Sequence, residues 1–447
     1  MPECYHINWV IKIRTLSIVI MVIMTTYTTS SITHSYAQKE ITLRAMLDNL
    51  ADVGRWDTLI QPALQELRAR HPDANINITY EQSPYGDTRN NFETAMTNQT
   101  PIDIVSVDQI WLGEFAERGF LTDLTNYTKK WGRSSDWYQA NWDGGVYDNK
   151  IYGIWAWTDV RGIWYWKDML KTTGVDPNSL TTWSGYLTAA GKLEELKRNG
   201  TESMYLVAAS HSPDLWYPYL WMLGGDILEY KDNHPKRGNY WFPTYNSSQG
   251  VRALEFLRDQ VKVGIKPQVD AIHQAEDFAN RKFAVSLDGS WVPGVFPPEE
   301  QRHLEQKVGF LPVFPISSNE TNHTSTLMGG WELSIPSTSK NKDLAWELIT
   351  IILEPKFLSP WISKFGYLPT QSDIGEAFRT NSSSSTFPYY DEMIGMIPFG
   401  SVRPSIPEYS LIAKDVKEAI DSVLFEGKDV NLALQETAFK SAKGLGW

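Results

Sequence analysis

Beyond position 40 the apolar residues change period from one segment to the next. Residues 41–47 read as a strand, and 56–70 place Leu59, Ile60, Ala63, Leu64 and Leu67 on one helical face. Pro62 lies inside that run. Proline is tolerated mainly in a first turn, so the firm part of this helix is expected to start later than the pattern suggests. A strand over 74–80 follows, then a polar helix near 87–97, then the apolar run 102–107 ending at Asp108. Strand, helix, strand, helix, strand at this spacing predicts parallel pairing through crossover helices, and hence an α/β fold.

Residues 145–154 read as a hairpin turning at Asp148-Asn149, and the aromatic run Trp155-Ala156-Trp157-Thr158-Asp159 follows it. Helices are predicted over 182–197 and 249–263, the second with Val251, Leu254, Leu257 and Val261 apolar and Gly264 as its stop. Residues 219–223 read as buried core. The segment 341–353 is apolar on most sides, which predicts a buried helix. From Glu408 onward the pattern is helical, broken at Gly427. No solenoid repeat is present.

The N-terminus sets the compartment. Lys12 and Arg14 precede an apolar run over 16–24, and Ser35-Tyr36-Ala37 places small residues for a cut after Ala37, as in a secretory signal. The alternative is an uncleaved anchor. Even extended to Tyr27, however, the run is short of the roughly 20 apolar residues of a spanning helix. Cys4, the only cysteine, precedes the run, so the mature chain has none; disulfides, thiolate metal sites and cysteine nucleophiles are excluded from it. Asn77, Asn98, Asn126, Asn199, Asn246, Asn319, Asn322 and Asn381 each open an Asn-x-Ser/Thr acceptor, a second sign of an exported, surface-exposed chain. Net charge is −12, and the cut removes Lys12, Arg14 and Glu3 to leave −13. An acidic chain without basic runs does not hold a polyphosphate backbone, so nucleic acid is not a partner. The remaining chain exceeds what one core usually serves, which predicts two lobes.

Composition then points to chemistry. There are 19 tryptophans, and two stand at the ends of apparent glycine turns, Asp288-Gly289-Ser290-Trp291 and Gly329-Gly330-Trp331. An indole presented from backbone geometry offers a rigid apolar face with one donor, which suits a ligand with flat apolar faces and polar edges such as a sugar ring. Most of the others are expected to pack cores. There is no phosphate-cradling glycine loop, no His-Glu-x-x-His, no Gly-x-Ser-x-Gly elbow and no histidine cluster, so neither a metal nor a cofactor is expected. A glycoside hydrolase needs only two carboxylates, and that reading stays open at this level.

The order of local patterns carries a specific resemblance. Asp108 with Trp111, Tyr147-Asp148-Asn149-Lys150-Ile151-Tyr152-Gly153, Thr158-Asp159-Val160-Arg161-Gly162, and Trp164-Tyr165-Trp166-Lys167-Asp168 come first. Gly224-Gly225-Asp226, Asp288-Gly289-Ser290-Trp291, Met328-Gly329-Gly330-Trp331, Gly366-Tyr367-Leu368-Pro369 and Arg403-Pro404 follow in sequence. Together they resemble the extracellular solute-binding proteins of ABC importers, in particular the maltose/trehalose-type sugar-binding family. The resemblance implies a two-lobed periplasmic-binding-protein-like fold of type II with the ligand cleft between lobes. It implies a monomer with a sugar ligand and permease membrane subunits as partners, no catalysis, and no cofactor.

Lobe I is then expected over 38–157 plus 290–330 and lobe II over 158–289 plus 331–447, with crossings near Trp157, Gly289 and Trp331. By the same resemblance Trp291 and Trp331 stack on sugar faces and Asp108 and Asp159 accept hydroxyl hydrogen bonds. Arg89 and Arg403 donate to hydroxyl pairs, Trp157 precedes the hinge carboxylate, and Arg161, Trp111 and Trp216 are further candidates. Asp108 also stands where it would cap a helix, and Arg89 where it would form a surface ion pair. A peptide, polyamine or phosphorylated polyol on the same fold remains the alternative ligand class.

Overall fold

In the computed structural model the described residues are 39–48, 54–198, 205–206, 212–263, 274–316, 325–380 and 387–447. The expected signal segment, Cys4, the Gly264 stop and the acceptors at Asn199, Asn319, Asn322 and Asn381 lie outside them. The first hundred residues fold as the periods predict. Strand β1 (Lys39–Asp48) leads through α1 (Arg55–Arg70) to β2 (Ala74–Ser83), and α2 (Tyr85–Thr97) leads to β3 (Ile104–Asp108), which runs directly into α3 (Gln109–Glu117). β1 pairs in parallel with β2 and with β3.

The expected late start of α1 is not seen. The helix is continuous from Arg55, with Trp56, Leu59, Ile60, Ala63, Leu64 and Leu67 buried and Pro62 inside it. Pro62 and Thr58, whose carbonyl the proline leaves without its helical donor, are both exposed, on the side of the helix where losing that donor costs least.

The short hairpin pairs Val146–Tyr147 with Lys150–Ile151, and Asp148 and Asn149 both adopt positive φ (47° and 59°), the geometry of a two-residue primed turn. Then β4 (Ile154–Asp159) passes through Val160 alone into β5 (Arg161–Trp166), which belongs to a different sheet. Helices α4 (Trp183–Arg198), α5 (Pro213–Met222) and α6 (Ser248–Lys262) precede β6 (Phe283–Gly289) and β7 (Val308–Leu311); β8 (Gly329–Ser334) returns to the first sheet. α7 (Lys342–Ile352) and α8 (Pro355–Phe365) pack against α1. α9 (Tyr409–Glu426) and α10 (Val430–Gly444) form a hairpin after Gly427, whose φ of 72° ends α9.

The first sheet has the order β2-β1-β3-β8-β4, with β8 antiparallel to both neighbours. The second has the order β7-β5-β6 followed by Tyr205–Leu206. This strand pairing moves the expected lobe boundaries. Gly289 is not a crossing, because it pairs with Arg161 inside the second sheet, and β7 lies there too, although 290–330 were expected with the first. The crossing falls between Leu311 and Gly329. Residues 331–334 and helices α7 and α8 go with the first sheet, and the chain packs again on the second sheet's helices through α9 and α10. Hydrogen-bonding partners, which the local pattern does not record, decide sheet membership.

Gly329-Gly330-Trp331 is likewise a strand rather than a turn. Its glycine requirement comes from a close approach: at Gly330, φ is 148° and a Cβ would meet the Trp157 carbonyl oxygen at 2.3 Å. Among the described residues no helix is long and apolar enough to cross a membrane, and no group of acidic, histidine or cysteine side chains is placed to hold a metal.

Candidate functional site

At the junction of the two sheets, strand register assembles a row of side chains. Trp331 on β8 is the direct partner of Asp108 on β3 and of Trp157 on β4. Direct cross-strand partners point to the same face, so the carboxylate and the two indoles form one strip. Trp111, in the first turn of α3, meets Trp331 edge-on, with ring centroids 5.5 Å apart at 87°. Trp157 stacks on Tyr367 at 4.2 Å and 17°. Both geometries are favoured for aromatic pairs and fix the ring planes.

Asp108 has two duties. As the last residue of β3 it caps α3, its Oδ1 accepting from the Ile110 amide at 3.3 Å, and it also faces Arg403. Arg403 lies in the segment that leads to α9. Its Nη2 is 3.7 Å from Asp108 Oδ1 and its Nη1 3.0 Å from Asp214 Oδ2, so one guanidinium joins the end of a first-sheet strand to the first turn of α5. The Arg403 backbone is held in place by Gln109, whose side-chain amide donates to the Arg403 carbonyl at 2.7 Å and to Ser405 Oγ at 2.6 Å. Gly113 makes this possible: a Cβ there would meet the Ser405 carbonyl oxygen at 2.4 Å.

The crossing itself is tied on both sides. Thr158 exchanges backbone hydrogen bonds with Leu368 (2.9 and 3.0 Å), and its hydroxyl donates to the Gly329 carbonyl at 2.8 Å. Asp159 pairs with Arg161 and accepts from the Gly329 amide at 3.2 Å. Arg161 also donates to the Leu327 carbonyl at 3.3 Å, and its backbone amide donates to Thr326 Oγ1 at 2.9 Å. The Arg161 guanidinium sits 5.0 Å from the Trp291 ring centroid, a cation–π contact that orients this half-buried indole. Gly289 ends strand β6 rather than lying in the expected turn, and its glycine requirement comes from a close approach, since a Cβ there would strike the Trp291 ring.

Two buried acids flank the strip. Burial pushes the Asp288 carboxyl up to about 7, against the pull of the Gly289 amide, Arg161 and Ser286. Burial also holds Glu332, beside the Trp155 indole and behind Trp331, well above the usual carboxylate range.

Asp108, Trp111, Trp157, Asp159, Arg161, Trp291, Trp331 and Arg403 thus fall at one junction, linked by the contacts above. Two expected residues do not join them. Trp216 is fully buried on α5 and faces α6 near Gly250, where it fills a core. Arg89 spends its guanidinium on Glu114 (2.6 and 2.7 Å) and Glu93 (3.3 Å), the surface ion pair that its position on α2 allows. Asp214 and Tyr367 were missed. Ser212-Pro213-Asp214 is a helix-start signal that marks the first turn of α5, with Ser212 accepting from the Asp214 amide. No sequence signal pairs Tyr367 with Trp157.

Chemically, the junction offers indole faces beside carboxylates and guanidinium groups that are already mutually paired. A neutral ligand rich in hydroxyls can bond to both charge types without bringing an unpaired charge into a buried site. An anion would meet Asp108, Asp159 and Asp214 and is disfavoured.

Comparison with known proteins agrees with this architecture. The diacetylchitobiose binding protein DasA of Streptomyces coelicolor is 20% identical over 76% of this chain and 75% of its own length. The arabinooligosaccharide-binding protein of Bacillus subtilis is 22% identical over 74% of this chain and 75% of its own. An ABC transporter solute-binding protein of Thermotoga lettingae, solved with α-D-tagatose, superposes with a TM-score of 0.74 at 22% identity, covering 91% of this chain and 100% of that one. Residues 55–357, well over half of the chain, match the pattern of the bacterial extracellular solute-binding proteins, and the protein belongs to that family.

Proposed function

We propose that the protein is the exported substrate-binding component of an ABC importer, which captures a neutral sugar, a di- or oligosaccharide, at the junction of the two sheets and delivers it to membrane permease subunits. The observation that carries the reading is the strip Asp108, Trp331 and Trp157 with Trp111 edge-on, set beside the Arg403 bridge. Stacking on an indole contributes about 0.5–1.5 kcal/mol beyond area burial, and charged acceptors make the stronger hydroxyl bonds. The names of the Streptomyces and Bacillus relatives, which specify oligosaccharides, support the same ligand class.

In this reading the protein acts as a monomer and does no chemistry on its ligand. The two sheets with their helices are lobes that close about the crossings at 159–161, between Leu311 and Gly329, and between Gly366 and Tyr409. Closure is favoured because only the closed arrangement touches sugar from both sides. Arg403 reports on that state, since it reaches Asp108 and Asp214 together. The N-terminal segment exports the chain.

Calorimetry against mono- to tetrasaccharides tests the reading. One sugar class should bind at a single site without product, and Trp331→Ala should abolish or greatly weaken the signal. Hydrolysis of the sugar by the purified protein, or binding that survives Trp331→Ala unchanged, would overturn it.

A further inference from the structure

The Asn-x-Ser/Thr acceptors are not used by sugar capture. Eight of the 21 asparagines open such a triplet, where the chain's own Ser and Thr content would give about three. Of the four within the described residues, Asn98, Asn126 and Asn246 are exposed. Asn77 differs: it lies within β2 as the partner of Thr42, is half-buried, and its Oδ1 accepts from Arg68 Nη2 at 3.2 Å.

Topology separates two of the exposed sites from the ligand junction. Asn98 caps the C-terminus of α2 in the loop that enters β3, and Asp108 is at the other end of that strand. Four steps of about 3.3 Å from Asp108 back to Ile104 put that end of the sheet roughly 13 Å from the junction. Asn126 is the second residue of the helix Thr125–Trp131, just after Thr122, whose amide bonds the Ile335 carbonyl at 2.8 Å. Ile335 follows the last residue of β8, which is antiparallel to β3, so Asn126 is at the same far end as Asn98. The Thr338 hydroxyl donates to the Thr100 carbonyl at 3.0 Å, which ties the two regions together. Asn246 sits in the turn between Gly238–Pro243 and α6.

We infer that Asn98, Asn126 and Asn246 carry N-linked glycans and that Asn77 does not, so that Asn98 and Asn126 sheathe lobe I at the end opposite its ligand junction. In the transfer, the carboxamide Nδ2 bonds to the anomeric carbon of a polyprenyl-phosphate-linked oligosaccharide. The anomeric C–O bond to phosphate breaks, the lipid phosphate leaves with that electron pair, and one amide proton is released; nothing is oxidised or reduced. The transfer requires an accessible carboxamide, which the three exposed sites offer, whereas Asn77 is half-buried within a strand and held through its Oδ1 by Arg68. This inference shares only export with the proposed function.

Glycopeptide mass spectrometry of the protein isolated from its own cells tests it. The peptides containing Asn98, Asn126 and Asn246 should carry a glycan increment and the Asn77 peptide should be bare. Asn98→Gln, Asn126→Gln and Asn246→Gln should each remove one increment from the intact mass and change sugar affinity less than about twofold. Ser248→Ala, which breaks the third acceptor without touching Asn246, should do the same. Bare peptides at the three sites, or occupancy of Asn77 in their place, would overturn the inference, and the wild-type peptide map decides it even where a variant does not fold. Bare asparagines with intact sugar binding would sink this inference alone; glycans without sugar binding would sink the proposed function alone.

Discussion

The two sheets present their junction aromatics in different ways. On the first, Trp331 is locked by strand register to Asp108 and Trp157 and by ring contact to Trp111, and it is almost fully buried. On the second, Trp291 follows the end of β6 just past the close-packed Gly289, remains partly exposed and is steered by the Arg161 guanidinium. A ring held by strand register and close packing loses little freedom on binding, whereas a half-exposed ring must still be ordered. In the proposed reading the first edge is therefore the platform on which affinity rests, and the second closes over it.

That contrast can be broken or sharpened in four steps. Trp331→Ala should cost about 2–3 kcal/mol of sugar binding, roughly 30- to 150-fold in Kd by calorimetry, with circular dichroism confirming the fold. Asp108→Asn keeps the cap geometry and leaves Arg403 with Asp214, but removes a charged acceptor; Kd should rise about tenfold. Trp291→Ala should weaken binding only about three- to fivefold, and a loss equal to that of Trp331→Ala would erase the distinction between the edges.

The smallest effect concerns Asp288, buried behind the second edge. Its folded value of about 7 lies above its unfolded value near 3.8, so its contribution to stability is full below pH 3.8 and is lost as pH rises through 7. Melting temperature should fall by a few degrees between pH 5 and 8 from this source, and Asp288→Asn should flatten that part of the profile.

Much of the architecture was legible because period and turn chemistry are local. The βαβαβ start, the Asp148-Asn149 hairpin and the Gly427 break follow from residues within a few positions of each other. Sheet membership was not legible, because β7 and β8 read alike until their partners are known. The same division applies to the site. Trp331, Asp108 and Arg403, picked out through their place in an ordered set of motifs, come together at the junction, while Trp216 lies apart because an indole beside a junction residue in sequence can point into a core in space. Arg89 stands apart for a related reason: the carboxylates that claim it, Glu93 and Glu114, lie on two different helices, and only Glu93 is near in sequence. Asp214 was missed because its partner, Arg403, is 189 residues away.

The most direct test of sugar capture without chemistry is calorimetry of the wild-type protein with a panel of neutral oligosaccharides, followed by chromatography of the recovered ligand. The account predicts saturable one-to-one binding of one sugar class and recovery of that sugar intact; absence of binding across the panel, or recovery of shorter products, would contradict it.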